Sequence, residues 1–133
     1  MVWVNIYAEV HPTESEEKIR RAILSIFPDA VFHRRGKTLF AASRSVARLG
    51  EMLREQRIRD SARAQMFAGM RHSHVEIKLN KQAACAGRVS FSVEAEPLGP
   101  IEVVIVAEDI RSVVDAIAPD TRALRERRSR DRS

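Results

Sequence analysis

Arginine and lysine set close together can do one kind of chemistry without any catalytic group: they neutralise phosphate and hydrogen-bond its oxygens. The chain places Arg34, Arg35 and Lys37 at one point and Arg44, Arg48, Arg57, Arg59 and Arg63 further along. Arg44 with Arg48, and Arg59 with Arg63, are four apart, the spacing that puts two side chains on one helix face. Residues 18–71 hold thirteen Lys/Arg against four Asp/Glu, while residues 1–17 and 72–120 each run four negative. A basic block between acidic flanks is expected to build one positive face for a polyanion. Of the 23 basic residues 19 are arginine, which favours bidentate phosphate contacts. The competing reading is internal neutralisation. Glu51, Glu55 and Asp60 can absorb part of the block, with Glu55 and Arg59 in the favourable order, as are Glu16 with Arg20 and Glu17 with Arg21.

Other residue types give weaker signals. Asn80, Lys81 and Gln82 sit between two strand-like runs, where amides and an ammonium can contact an RNA backbone or base edge, although asparagine also suits a turn for local reasons. Arg88 adds a cation at the start of the next run. Trp3 and Tyr7 fall on one strand face with Asn5 between them, a pattern that fits base stacking, a core or an interface. His72 and His74 share a side, but no further ligands accompany them for a zinc site. Cys85, the only cysteine, has no histidine motif beside it, and neither a phosphate-binding glycine loop nor an HExxH sequence occurs. These residues point to a non-enzymatic chain with no cofactor, no metal and no small-molecule substrate.

The elements that must position these groups follow from periodicity. Residues 2–10 alternate strictly and predict a strand, and Thr13 with Glu16 predicts a capped helix carrying Ile19, Ala22, Ile23 and Ile26 until Pro28. Residues 30–35 and 37–42 predict a hairpin around Gly36, with a basic tip. Ser45 opens a helical region that passes Arg57 to Met70 as one kinked helix or two, Gly50 being its weak point. Strands are expected at 74–79, at 89–93 and, apolar on both faces and so central, at 101–107; Asp109 then caps a last helix ended by Pro119. The expected fold class is α+β, a mixed, largely antiparallel sheet in the order β-α-β-β-α-α-β-β-β-α with helices packed on it. Residues 1–120 form the expected single domain, and residues 121–133, with six arginines against two acids, a disordered basic tail.

Several stretches of the chain resemble the archaeal uncharacterised protein family 0201. They are His11-Pro12-Thr13-Glu14, Ile26-Phe27-Pro28-Asp29-Ala30, Arg57 to Arg63, Leu79 to Ala84, and Glu96-Pro97-Leu98-Gly99-Pro100-Ile101. The resemblance implies a fold similar to ribosomal protein L-five of the large subunit. It also implies RNA binding, since related archaeal proteins are described as RNA binders or exosome-associated. It carries over no catalytic residue, and the arginine-rich tail after Thr121 departs from it.

The reading is thus an RNA-binding protein that grips backbone phosphates through its basic middle segment. The alternative is a homodimeric protein-interaction module without nucleic-acid binding, in which exposed aromatics build the interface. The N-terminus does not read as a signal peptide, and no apolar run approaches the roughly twenty residues that span a bilayer, so no membrane partner and a cytoplasmic location are expected.

Overall fold

The structure, a computed structural model, describes residues 1–92 and 96–122. Strict alternation at the start produces β1 (Val2–Glu9). A turn at residues 11–14 leads into α1 (Glu16–Ile26), capped by Ser15, whose hydroxyl accepts from the Lys18 N–H at 3.3 Å. The cap falls two residues beyond Thr13 because Glu14 is engaged in the turn: its N–H donates to the His11 carbonyl at 2.9 Å and its carboxylate accepts the His11 N–H at 3.2 Å. The hairpin forms as β2 (Val31–Arg35) and β3 (Thr38–Ser43), turning at Gly36, whose φ of +60° suits a residue without Cβ.

The helical region is two helices, α2 (Ala47–Glu55) and α3 (Arg59–Ala68). Short β4 (Met70–Arg71) and β5 (His74–Leu79) follow, then α4 (Lys81–Cys85), central β6 (Ile101–Ala107) and α5 (Ile110–Ile117), whose cap is Asp109 as its position foretold. Gly50 is more than a weak point. A Cβ there would lie 3.0 Å from Ile117 Cγ2, so the glycine lets α2 and α5 approach.

Three expectations about the order of elements are corrected. Met70, expected to close the helical region, lies in β4 abreast of Val75, because α3 ends at Ala68. The small-residue connection after Asn80 coils into α4, because the Asn80 side chain caps it by accepting the Ala83 N–H at 2.8 Å and alanines favour a helix. The run expected as a strand at 89–93 is, within the described residues, only a bridge between Phe91 and Leu79. Its Val89 has both backbone groups taken by one side chain: Gln56 Nε2 donates to the Val89 carbonyl and Oε1 accepts its N–H, each at 2.8 Å. Val93 and the tail from residue 123 lie outside the described residues.

The strands form one sheet in the order β2-β3-β1-β6-β5-β4, antiparallel at every junction rather than mixed. Val4, Ile6, Leu39, Val75, Val103 and Ile105 point to one face and are fully buried, in one cluster with Ile19, Ile23, Leu53, Met66 and Val114 from the helices. Each such burial contributes about 1.5–3 kcal/mol relative to exposure. The opposite face carries Trp3, Tyr7, Phe40, Val104 and Val106, all at least partly exposed, and no helix packs on it among the described residues. The molecule has two layers, and the strand period decides which residues stay wet.

Candidate nucleic-acid interface

The fold separates the hairpin's three cations. Pairing of Arg34 with Leu39 and of Arg35 with Thr38 sends Arg34 to the helix side of β2 and Arg35 to the open side. Arg34 Nη1 lies 2.8 Å from Glu16 Oε1 and its Nε donates to the Gly36 carbonyl at 2.9 Å, tying the hairpin to α1. This bond holds the Glu16 carboxyl below the usual carboxylate range, with Arg20 adding to the effect. Arg35 and Lys37 are exposed at the tip.

The four-residue pairs fare differently. Arg44 precedes α2 and does not share its face with Arg48. Its N–H donates to Asp29 Oδ2 at 2.9 Å, and its guanidinium lies 5.0 Å over the Trp3 ring on the open face. Asp29, which also accepts the Ser43 hydroxyl, titrates below its ordinary value for that reason first and for the Arg44 N–H second. Arg48 is bound to Glu51 at 3.1 Å and Glu55 at 3.4 Å, which raises its pKa. Glu55 therefore serves Arg48 rather than Arg59, since the break between α2 and α3 removes their helical spacing. Arg63 does share α3 with Arg59, but its Nη1 reaches Asp115 Oδ1 at 2.7 Å and the Ala118 carbonyl at 3.0 Å, locking α3 to α5.

Arg57 stands between the helices with φ +59°, the one non-glycine residue of positive φ among those described. Its N–H donates to the Arg54 carbonyl at 3.1 Å and the Ile58 N–H to the Leu53 carbonyl at 3.0 Å, the bond pattern that ends a helix on a left-handed residue, usually glycine. Beyond this corner runs a cleft of about 610 Å³ of mixed lining, with Gln56, Ser61, Gln65 and Arg88 beside the apolar Ile58 and Phe91. Arg57 and Arg88 are exposed and Arg59 is half-buried.

Asn80 and Lys81 turn inward. Asn80 caps α4 and donates to Glu96 Oε1 at 2.8 Å. Lys81 is 3% exposed, and its ammonium donates to the Glu9 carbonyl (2.8 Å), Glu14 Oε1 (3.0 Å) and the Leu98 carbonyl (2.7 Å). With three protons on three acceptors, it offers none to a ligand. Gln82 alone of the three is exposed. The expected single positive face is therefore not built: Arg34, Arg48, Arg63 and Lys81 serve the fold, Arg57 and Arg59 flank the α2–α3 corner, Arg88 lines the cleft beside it, and Arg35 and Arg44 look to the open face.

One cation escaped the sequence reading. Arg71, on edge strand β4, stands abreast of His74, which stands abreast of Val106 and that of Trp3. No spacing in the sequence signals this row, because it exists only through the register of four strands.

A family model described as RNA binding matches residues 3–107, from the first strand to the end of the central one. A UPF0201 protein of Thermococcus onnurineus is 38% identical, the alignment covering 90% of this chain and 93% of that protein. The chain belongs to the UPF0201 family. A UPF0200/UPF0201 protein of Archaeoglobus fulgidus is 39% identical over 91% of this chain, which spans only 38% of that longer relative. The solved structure of a UPF0201 protein from Methanococcus jannaschii superposes with a TM-score of 0.81 at 38% identity, covering 88% of this chain and 99% of that one. The match to the RNA-binding family model takes in Trp3 and every candidate cation from Arg34 to Arg88.

Proposed function

We propose that this UPF0201 chain is a non-catalytic RNA-binding protein that grips backbone phosphates through Arg57 and Arg59 at the α2–α3 corner and Arg88 in the cleft beside it, with Arg35 and Lys37 as outlying contacts. The observation that carries the reading is Arg57 itself. An arginine held in left-handed backbone costs about 1–2 kcal/mol more than glycine would there, and a strained, exposed cationic residue at the mouth of a cleft is a residue kept for its side chain. The family model described as RNA binding supplies the partner class.

The test is fluorescence anisotropy of labelled RNA with the full chain across a salt series. Binding is expected to weaken steeply with salt. Replacing Arg57, Arg59 and Arg88 by alanine is expected to flatten the logarithmic slope by about 0.7 per lost contact on single-stranded RNA, whatever its sequence. Absence of any anisotropy change at low salt overturns the reading. A homodimeric interaction module is the second reading, favoured by Val31, which stands 73% exposed on edge strand β2, where a second copy could add its own strand.

A further inference from the structure

Arg44, Trp3, Val106, His74 and Arg71 make one row across the open end of the sheet. Trp3, Val106, His74 and Arg71 are successive cross-strand neighbours, and the Arg44 guanidinium lies 5.0 Å over the Trp3 ring at the other end. At a strand spacing of about 4.8 Å, the three steps from Trp3 to Arg71 span roughly 14 Å. The indole is anchored, since its Nε1 donates to Asn5 Oδ1 at 2.8 Å, yet Trp3 remains 40% exposed. Val106 beside it is an apolar floor.

We infer that this row is a stacking site for unpaired bases of single-stranded RNA, with Trp3 as the π-surface and Arg44 and Arg71 holding the phosphates on either side. The inference rests on the RNA-binding reading and names the form of RNA and a second contact surface. An uncovered sheet face with an exposed aromatic suits splayed bases, which a duplex hides.

The exposed indole selects this end of the sheet, and the arginines at both ends of the row select the occupant. Among the described residues the acids beside the row are Glu76, which meets His74 Nε2 at 3.5 Å, Asp29, which accepts the Arg44 N–H at 2.9 Å, and Glu108, which follows β6. Toward the other end Tyr7 is abreast of Glu102, Thr38 is abreast of Glu9, and Tyr7 packs edge-on against Phe40 with ring centres 5.4 Å apart. Lys78 abreast of Glu102 and Arg35 abreast of Thr38 balance the acids there, so what that end lacks is a ring as open as the Trp3 indole. A second copy laid over the row by a twofold through its centre would set Arg44 against Arg71 of the other copy, a like-charge contact.

Trp3 is the only tryptophan, so its fluorescence reports the site directly. The experiment titrates the full chain at low salt with a 5′-labelled oligouridylate of about ten nucleotides and with an RNA duplex of the same length, following anisotropy and Trp3 emission together. The expected result is saturable quenching by the single strand and none by the duplex. Trp3→Ala is expected to lose roughly ten-fold in affinity for the single strand, with Trp3→Phe retaining most of it. Arg71→Ala is expected to weaken binding and reduce its salt dependence. Anisotropy that rises with Trp3 emission unchanged, and with Trp3→Ala binding as well as the parent, overturns the row while leaving the RNA reading in place. No anisotropy change with either RNA overturns both. An RNA-free dimer in sedimentation, with Trp3 shielded from acrylamide, gives the face to a second copy and also overturns the row.

Discussion

A buried ammonium is tolerable only when each of its protons meets an acceptor, and Lys81 meets that condition with Glu9, Glu14 and Leu98. Its three bonds tie the end of β1, the turn before α1 and the segment entering β6 to the first turn of α4. Lys81→Met keeps the stem but leaves a carboxylate and two carbonyls without their donor. The expected loss is about 3 kcal/mol, read as a lower urea midpoint, while RNA affinity of the folded protein stays at the parent value. Pairing it with Glu14→Gln is expected to recover part of that loss, because the stranded charge is gone. The sequence could not show this role. A lysine after asparagine in a small-residue connection looks like a solvated turn, and its acceptors sit 72, 67 and 17 residues away, brought together only by the fold. The Glu16 partners of Arg20 and Arg34 show the contrast: the pairing four residues along the helix, now at 3.3 Å, was legible, and the one across 18 residues was not.

At the level of elements, the corner between α2 and α3 sets stability against binding. Ile58 bonds back to Leu53 in the pattern that glycine serves best at the preceding position, and that position is Arg57. Arg57→Gly is expected to raise the stability of the chain by about 1 kcal/mol, as relief of left-handed strain exceeds the added freedom of the unfolded state. The same substitution is expected to weaken RNA binding and shallow its salt slope. Denaturant unfolding and anisotropy measured on one preparation check both signs, and a variant gaining stability with undiminished affinity removes Arg57 from the interface. Elements with a strong local signal were legible: the β1 alternation, the hairpin about Gly36, the central β6 and the Asp109 cap all follow from the period and from single residues. Residues 88–91 were not, because the peptide groups of Val89 are matched by the Gln56 side chain, and no local pattern encodes a partner 33 positions away.

For the whole molecule, the question is how a basic block dispersed over two layers can act on one polyanion. The corner cations lie on the helix side and the Trp3 row on the open side, so they do not form one face. They are nevertheless joined around one edge. Arg59 begins α3, α3 packs over β5, and within three residues of its end the chain reaches Arg71 on edge strand β4. A ten-residue helix is about 15 Å long, so the edge separates the two groups by a distance that a short single strand can span. If one strand of RNA rounds that edge, its second contact is intramolecular and gains an effective concentration in the millimolar range without any new bond. Oligouridylates of about five nucleotides are then expected to bind weakly, and those of about twenty nucleotides more than ten-fold tighter than the added number of registers explains. That length gain is expected to vanish in Trp3→Ala and equally in the Arg57, Arg59 and Arg88 triple-alanine variant, since either change removes one of two linked contacts. A gain that persists in both variants means that the two groups act on separate partners, and a length series by anisotropy distinguishes these outcomes.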